Sequence, residues 1–173
     1  TTEPPRGKCS IGGDDVFFLV HAYGARSFSI WIDRMHQVFD SGQELETIVA
    51  ATEPADFNST DNENDSFDNR SDDKGPEPEA ATVGEVNGRT YAFIGLERQG
   101  AIVVYDVTAP HFPFFVTYLS GRDFAGDPEA GTAGDLAPEG FVFIGAADSP
   151  TGNALLVVAN EVSGTTTVYS IDE

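Results

Sequence analysis

The chain has 173 residues, enough for one domain, and 40% of them are hydrophobic, which supports a packed core and excludes wholesale disorder. Lys and Arg number 9 against 29 Asp and Glu, a formal net charge of −20, so the chain repels nucleic acid and anionic membrane surfaces and favours cations. It contains no run of 18 apolar residues, so no segment reads as membrane-spanning.

Residues 1–15 read as an N-terminal extension, and "TTEPPRGKCS" lacks the apolar stretch of a signal peptide. Cys9 is the single cysteine, either a free thiol or a bridge to polypeptide outside this sequence. Residues 16–50 carry short β-type runs, "VFFLVHA", "SFSIWI" and "QVFDSG", and read as a partial blade of a β-propeller. No segment shows a helix-length amphipathic period, and "DRMHQVF" is too short to count.

Residues 51–75 form an acidic inter-blade loop. Over residues 51–80 ten acids face only Arg70 and Lys74. The part before Phe67 reads as a solvated linker. The part from Phe67 onward is expected to be ordered, because prolines stiffen it, Phe67 calls for burial and a hairpin follows at once.

Residues 76–136 hold the clearest strand pattern. "TVGEV" and "RTYAFIGL" flank Asn87-Gly88, the strongest short hairpin signal, and "AIVVYDV" and "FFVTYL" follow. Residues 137–173 repeat this order with "GFVFIGAA", "ALLVVA" and "TTTVYSI". Glu79 matches Glu139 at an offset of 60, and Glu97 matches Glu161 and Tyr105 matches Tyr169 at an offset of 64. The longer turn "DSPTGN" accounts for the difference. Runs such as "AIVVY" and "ALLVV" are apolar on both faces, as strands between stacked sheets require. The fold expected is therefore all-β: two to three antiparallel four-stranded blades, part of a larger propeller, with an antiparallel sandwich as the alternative. The remaining blades, from the same parent chain or a cleaved companion, are then an expected partner.

Two oxygen-rich sets are candidates for Ca²⁺ or another divalent metal. One is the loop set Asp68, Asp72, Asp73, Glu77 and Glu79, hard ligands suited to calcium. It is no EF-hand: in "DNENDSFDNRSD" Ser66 stands where Gly is needed and Asp72 ends the loop in place of Glu. The other is the repeat pair Glu79 and Glu139, which point into a central channel if each begins an innermost strand; Glu97 and Glu161 then sit at blade turns on the rim. Each of these glutamates could instead accept backbone N–H bonds at a turn.

Phosphate chemistry needs cationic groups as well, and Arg26, Arg98 and Arg122 are the candidates, against a role in neutralising nearby acids. His21, His36 and His111 show no metal-ligand spacing, and the chain has no Walker loop, GxSxG elbow or HExxH. Asn58, Asn64 and Asn69 head glycosylation sequons, with Asn58 favoured as an exposed position in the linker.

The segments "GARSFSIW", "FDNRSDDKGPEPEAATVGEVNGRTYAFIGLERQGAIVVYDVTAP" and "DLAPEGFVFIGAADSPTGNALLVVANEVSGTTTVYSI" resemble the choice-of-anchor I domain family, over roughly residues 16–172. That family includes atypical alkaline phosphatases and mesenchyme-specific cell-surface glycoproteins. Ala80 departs from the glycine expected after "PEPE", whereas the second copy keeps Gly140.

The resemblance implies a propeller that is extracellular, periplasmic or anchored at the cell surface. It also implies calcium association and metal-dependent phosphomonoesterase activity on a small phosphate ester. Channel carboxylates Glu79 and Glu139 would hold the ion, and Arg26 or Arg98 would bind phosphate. The alternatives are a non-catalytic surface glycoprotein that binds calcium or a mineral surface, and a protein-binding scaffold.

Overall fold

The computed structural model describes the backbone of residues 6–11, 14–20 and 26–172, and the side chains of residues 26–172. The readings of Cys9 and His21 fall on side chains outside that range. Strands β1 (Arg6–Ile11) and β2 (Asp14–Val20) pair as an antiparallel hairpin. β3 (Ser29–Ile32) and β4 (His36–Asp40) form a second two-stranded sheet.

The central sheet is a meander of β5 (Pro78–Val86), β6 (Arg89–Leu96), β7 (Ala101–Asp106) and β8 (Phe114–Ser120). Its first hairpin turns at Asn87 and Gly88, both at positive φ, as a two-residue hairpin turn requires. The third sheet has β9 (Pro138–Ile144), β10 (Ala154–Asn160) and β11 (Thr165–Ile171) in the same up-and-down order. The described chain is thus nearly all-β and forms a propeller-like portion of stacked blades, not a closed barrel.

Every residue of β7 is buried, because sheets or a helix cover both of its faces. On one face Ile94, Leu96, Val103 and Tyr105 pack with Leu45 and Val49, and the Phe28 ring meets Tyr105 edge-on at 4.8 Å. On the other face Phe93, Ile102 and Val104 pack against Leu156 and Val158 of the third sheet. The Phe93 and Phe143 rings stack at 5.9 Å across this second interface.

Gly84 makes that stacking possible. A Cβ there would lie 2.3 to 2.4 Å from the Phe143 ring. Gly84→Ala is therefore expected to cost about 1–3 kcal/mol, as overpacking of a filled interface does, and urea unfolding would measure it. A neutral result would mean that the two sheets slide apart freely.

The sequence reading missed a helix, α1 (Glu44–Thr52). Leu45 and Val49 are fully buried on it and Ile48 packs beside them, but in nine residues this stripe spans little more than one turn and is too short to read as a period. The expectation for the acidic loop is also corrected. Phe67 is 60% exposed, with its ring tilted against that of Phe57 at a centroid distance of 6.5 Å. The stretch before it is no solvated linker: Asn58, Ser59 and Asp61 are all buried.

Candidate functional site

The repeat brings its matched glutamates to one place. Glu79 is the second residue of β5 and Glu139 the second of β9, the first strands of two adjacent blades. Glu97 and Glu161 open the turns after β6 and β10, and each turn closes with a glycine at positive φ, Gly100 and Gly164. The backbone repeats too. Glu97 donates its N–H to the carbonyl of Glu77 at 2.8 Å, and Glu161 donates to that of Ala137 at 2.8 Å. Glu77 and Ala137 both hold positive φ, 53° and 60°. The two blades therefore share one bend at the entry to the first strand, and only the first copy places a carboxylate on it.

Two sets of carboxylates converge as a result. One oxygen each from Glu77, Glu79 and Glu97 lies within 4.8 Å of the others, and so does one each from Glu97, Glu139 and Glu161. Glu97 belongs to both sets.

The electrostatics of the two sets differ. Glu77 is buried, which opposes its charge. Yet Lys74 contacts it closely, Arg70 reaches it at 2.5 Å and Arg98 Nε at 3.1 Å, and together they hold its carboxyl down at about 2. Glu79 meets Lys74 at 3.0 Å. Glu77 and Glu79 are therefore neutralised by the chain's own cations.

The second set is not. Glu97 is 4% exposed and accepts no hydrogen bond from a described residue. Its nearest cation is Arg98, at 3.4 Å. Burial, followed by the charges of Glu77, Glu79 and Asp61, pushes its carboxyl up to about 7 against the pull of Arg98. Burial and the charges of Glu161 and Glu79 raise Glu139 as well. Like charges gathered this closely, one of them desolvated, call for a counter-cation or a shared proton.

The other sequence candidates lie elsewhere. Asp68 accepts a short bond from Ser71, Asp73 pairs with Arg70 at 2.7 Å, and Asp72 is exposed. None of these three joins a three-ligand group among the described residues. Arg26 donates to Glu46 at 2.7 Å and to the carbonyls of Ser71 and Asp73 at 2.5 and 3.0 Å. Arg98 donates to Asp61 at 2.6 Å in addition to its contacts with Glu77 and Glu97. Arg122 is buried and donates to Asn64 and to the carbonyls of Thr60, Glu63 and Arg98. All three arginines thus act on the acidic loop or its neighbours.

Of the sequon asparagines, Asn58 is buried with its amide nitrogen donated to Glu46 and Ser71, which leaves no room for a glycan. Asn64 donates to the carbonyls of Asp123 and Gly126, and Asn69 is exposed. Sequence reasoning left Glu97 and Glu161 as rim positions and did not assign Asp61, Arg70 or Lys74 to the site. The repeat register was the signal that could have joined Glu97 to Glu161.

The family model of the choice-of-anchor I domain matches residues 13–110. Gigasin-3a of Magallana gigas is 31% identical over 163 residues, covering 88% of this chain and 57% of its own length. The chain thus spans little more than half of that relative. No solved structure matches it. Among the described residues no helix is long and apolar enough to cross a membrane.

Proposed function

The chain belongs to the choice-of-anchor I domain family, and on that premise we propose that it is the cation-binding portion of an extracellular or cell-surface β-propeller. The ion is Ca²⁺ or a similar hard divalent metal, held by Glu97, Glu139 and Glu161. Family membership supports the extracellular or surface setting.

One observation carries the cation reading: Glu97 is buried without a hydrogen bond onto its carboxylate and lies within ligand reach of two further carboxylates. Carboxylate oxygens suit calcium, which takes six to eight hard ligands, so water or other oxygens would complete the shell. Glu77 and Glu79 stand behind as a neutralised flank that keeps Lys74 and Arg98 close to the site.

Isothermal titration with Ca²⁺ and melting curves in calcium and in chelator test this. Calcium at a hundredfold excess over its Kd stabilises by about 2.7 kcal/mol, which raises the melting temperature by roughly 5 °C or more in a chain of this size. No heat of binding together with an unchanged melting temperature would sink the proposal.

A second reading adds metal-dependent phosphomonoesterase activity. It is favoured by Arg98, whose guanidinium lies against Glu97 at the edge of the same cluster. Against it, Arg98 and Arg26 already serve carboxylates and backbone carbonyls, so phosphate would have to displace those partners. Non-catalytic binding of calcium, or of a mineral surface through it, is the stronger reading. Turnover of a chromogenic phosphate ester by the intact parent protein, abolished by chelator, would reverse that ranking.

A further inference from the structure

The repeat supplies an internal template for what covers the last sheet. In the central sheet Thr82, Phe93 and Val104 stand side by side across β5, β6 and β7. The face bearing Phe93 and Val104 is the one that packs on the third sheet. The repeat offsets carry these three positions onto Val142, Val157 and Val168. Those three also stand side by side, across β9, β10 and β11. Their partners on the opposite face, Leu156 and Val158, already serve the central sheet. The valine row therefore points the other way, and Val142 and Val168 are 57% and 56% exposed.

We infer that this valine row is the docking surface for a further blade, an antiparallel sheet of the same repeat supplied by polypeptide outside this sequence. Three valines in register on one face suit packing against another sheet. The relative of known length has room for such a blade, since this chain covers 57% of it. The inference rests on the propeller reading and is independent of the cation site.

The same template sets the shape of the occupant. In the central sheet Gly84 leaves the space that the Phe143 ring fills. The matching position in the third sheet is Ile144, which is half-buried and already occupies that space. The strand that lies over β9 therefore carries a small residue where β9 itself has Phe143. At the other end of the row, Ala159 matches Gly95, which lies against the Phe141 ring, so crowding rises there too. The further blade is a variant of the repeat with a flatter inner strand.

Cysteine labelling of the intact natural protein tests this. Val142→Cys and Val168→Cys each remove one branch of an exposed side chain and leave the core alone. Thr151→Cys, in the exposed β9–β10 turn, is the reference, and the unsubstituted protein gives the background from Cys9. Thiols at 142 and 168 are expected to react with a maleimide at least about tenfold more slowly than the thiol at 151. Equal rates would overturn the inference by making the row a free surface. Protection that grows with protein concentration would also overturn it, in favour of a second copy of this chain. Repeating the labelling in chelator separates the two proposals: protection retained in a protein that binds no calcium counts against the cation reading alone.

Discussion

Glu97→Gln is expected to raise the stability of the calcium-free protein at pH 8 and to remove most of the stabilisation that calcium provides. The reason is the cost of the charge. Moving a carboxyl from an ordinary 4.5 to about 7 corresponds to about 3 kcal/mol of disfavour for the ionised form in the folded state. The folded protein holds this proton between the two values and the unfolded chain does not. Without metal, the contribution of Glu97 to stability is therefore greatest below 4.5, and it falls as pH rises through 7. Glutamine keeps the shape without the charge, so the variant should lose that pH dependence and gain up to about 3 kcal/mol at pH 8.

Calcium acts in the opposite direction. A bound ion favours the ionised carboxylates, so the unsubstituted protein should regain at pH 8 in calcium what it loses in chelator. Urea unfolding at pH 5 and pH 8, with calcium and with chelator, checks both halves. A variant less stable than the parent at pH 8 in chelator would mean that Arg98 alone satisfies the Glu97 charge, and the case for a cation there would fail.

The strands and the repeat were legible because their signals are local and strong. Asn87-Gly88 fixes one hairpin, and the apolar run of β7 announces a strand covered on both sides. The matched register of Glu79 with Glu139 placed both at the start of first strands, where the structure has them. Other features depend on partners distant in sequence. Helix α1 is nine residues long and has only Leu45, Ile48 and Val49 to mark its core face. Its best local clue was "SGQE", a Ser followed three residues later by Glu. The Ser41 hydroxyl instead accepts the N–H of Phe28, thirteen residues earlier, and makes no cap.

Phe67 misled because an aromatic residue among acids implies burial, and here it lies on the surface. The acidic loop read as solvated because composition does not reveal which cations lie near it. Arg70 and Lys74 are local, but Arg98 and Arg122 arrive from strand ends tens of residues away. The same ignorance made Asn58 look open to a glycan when it is an interior hydrogen-bond donor.

Arg122 is the clearest of these distant cations, and Arg122→Ala is expected to cost about 3–5 kcal/mol. The side chain is 8% exposed and its planar fork is used on several sides. One terminal nitrogen donates to the carbonyl of Arg98 at 2.9 Å, and the other to those of Thr60 at 2.8 Å and Glu63 at 3.0 Å. Asn64 Oδ1 accepts from Nε at 3.1 Å and from a terminal nitrogen at 2.8 Å, and the Phe124 ring lies 4.2 Å from the guanidinium carbon. Alanine leaves these acceptors without a donor and opens the space the fork fills. Lysine keeps the charge but not the fork, so Arg122→Lys should recover less than half of the loss.

The loss should also be local before it is global. Amides of residues 60–66 should exchange faster in both variants while those of β6 and β7 stay protected, because Arg122 binds the loop at Thr60, Glu63 and Asn64. The consequence reaches the glutamates, since Arg98 is held through its carbonyl by Arg122 and through its guanidinium by Asp61, a loop residue. Calcium affinity should therefore fall in Arg122→Ala although the substituted residue lies outside the carboxylate cluster. A cost below about 1 kcal/mol, with loop exchange unchanged, would show that water replaces the guanidinium equally well and that the loop is held by its own turns.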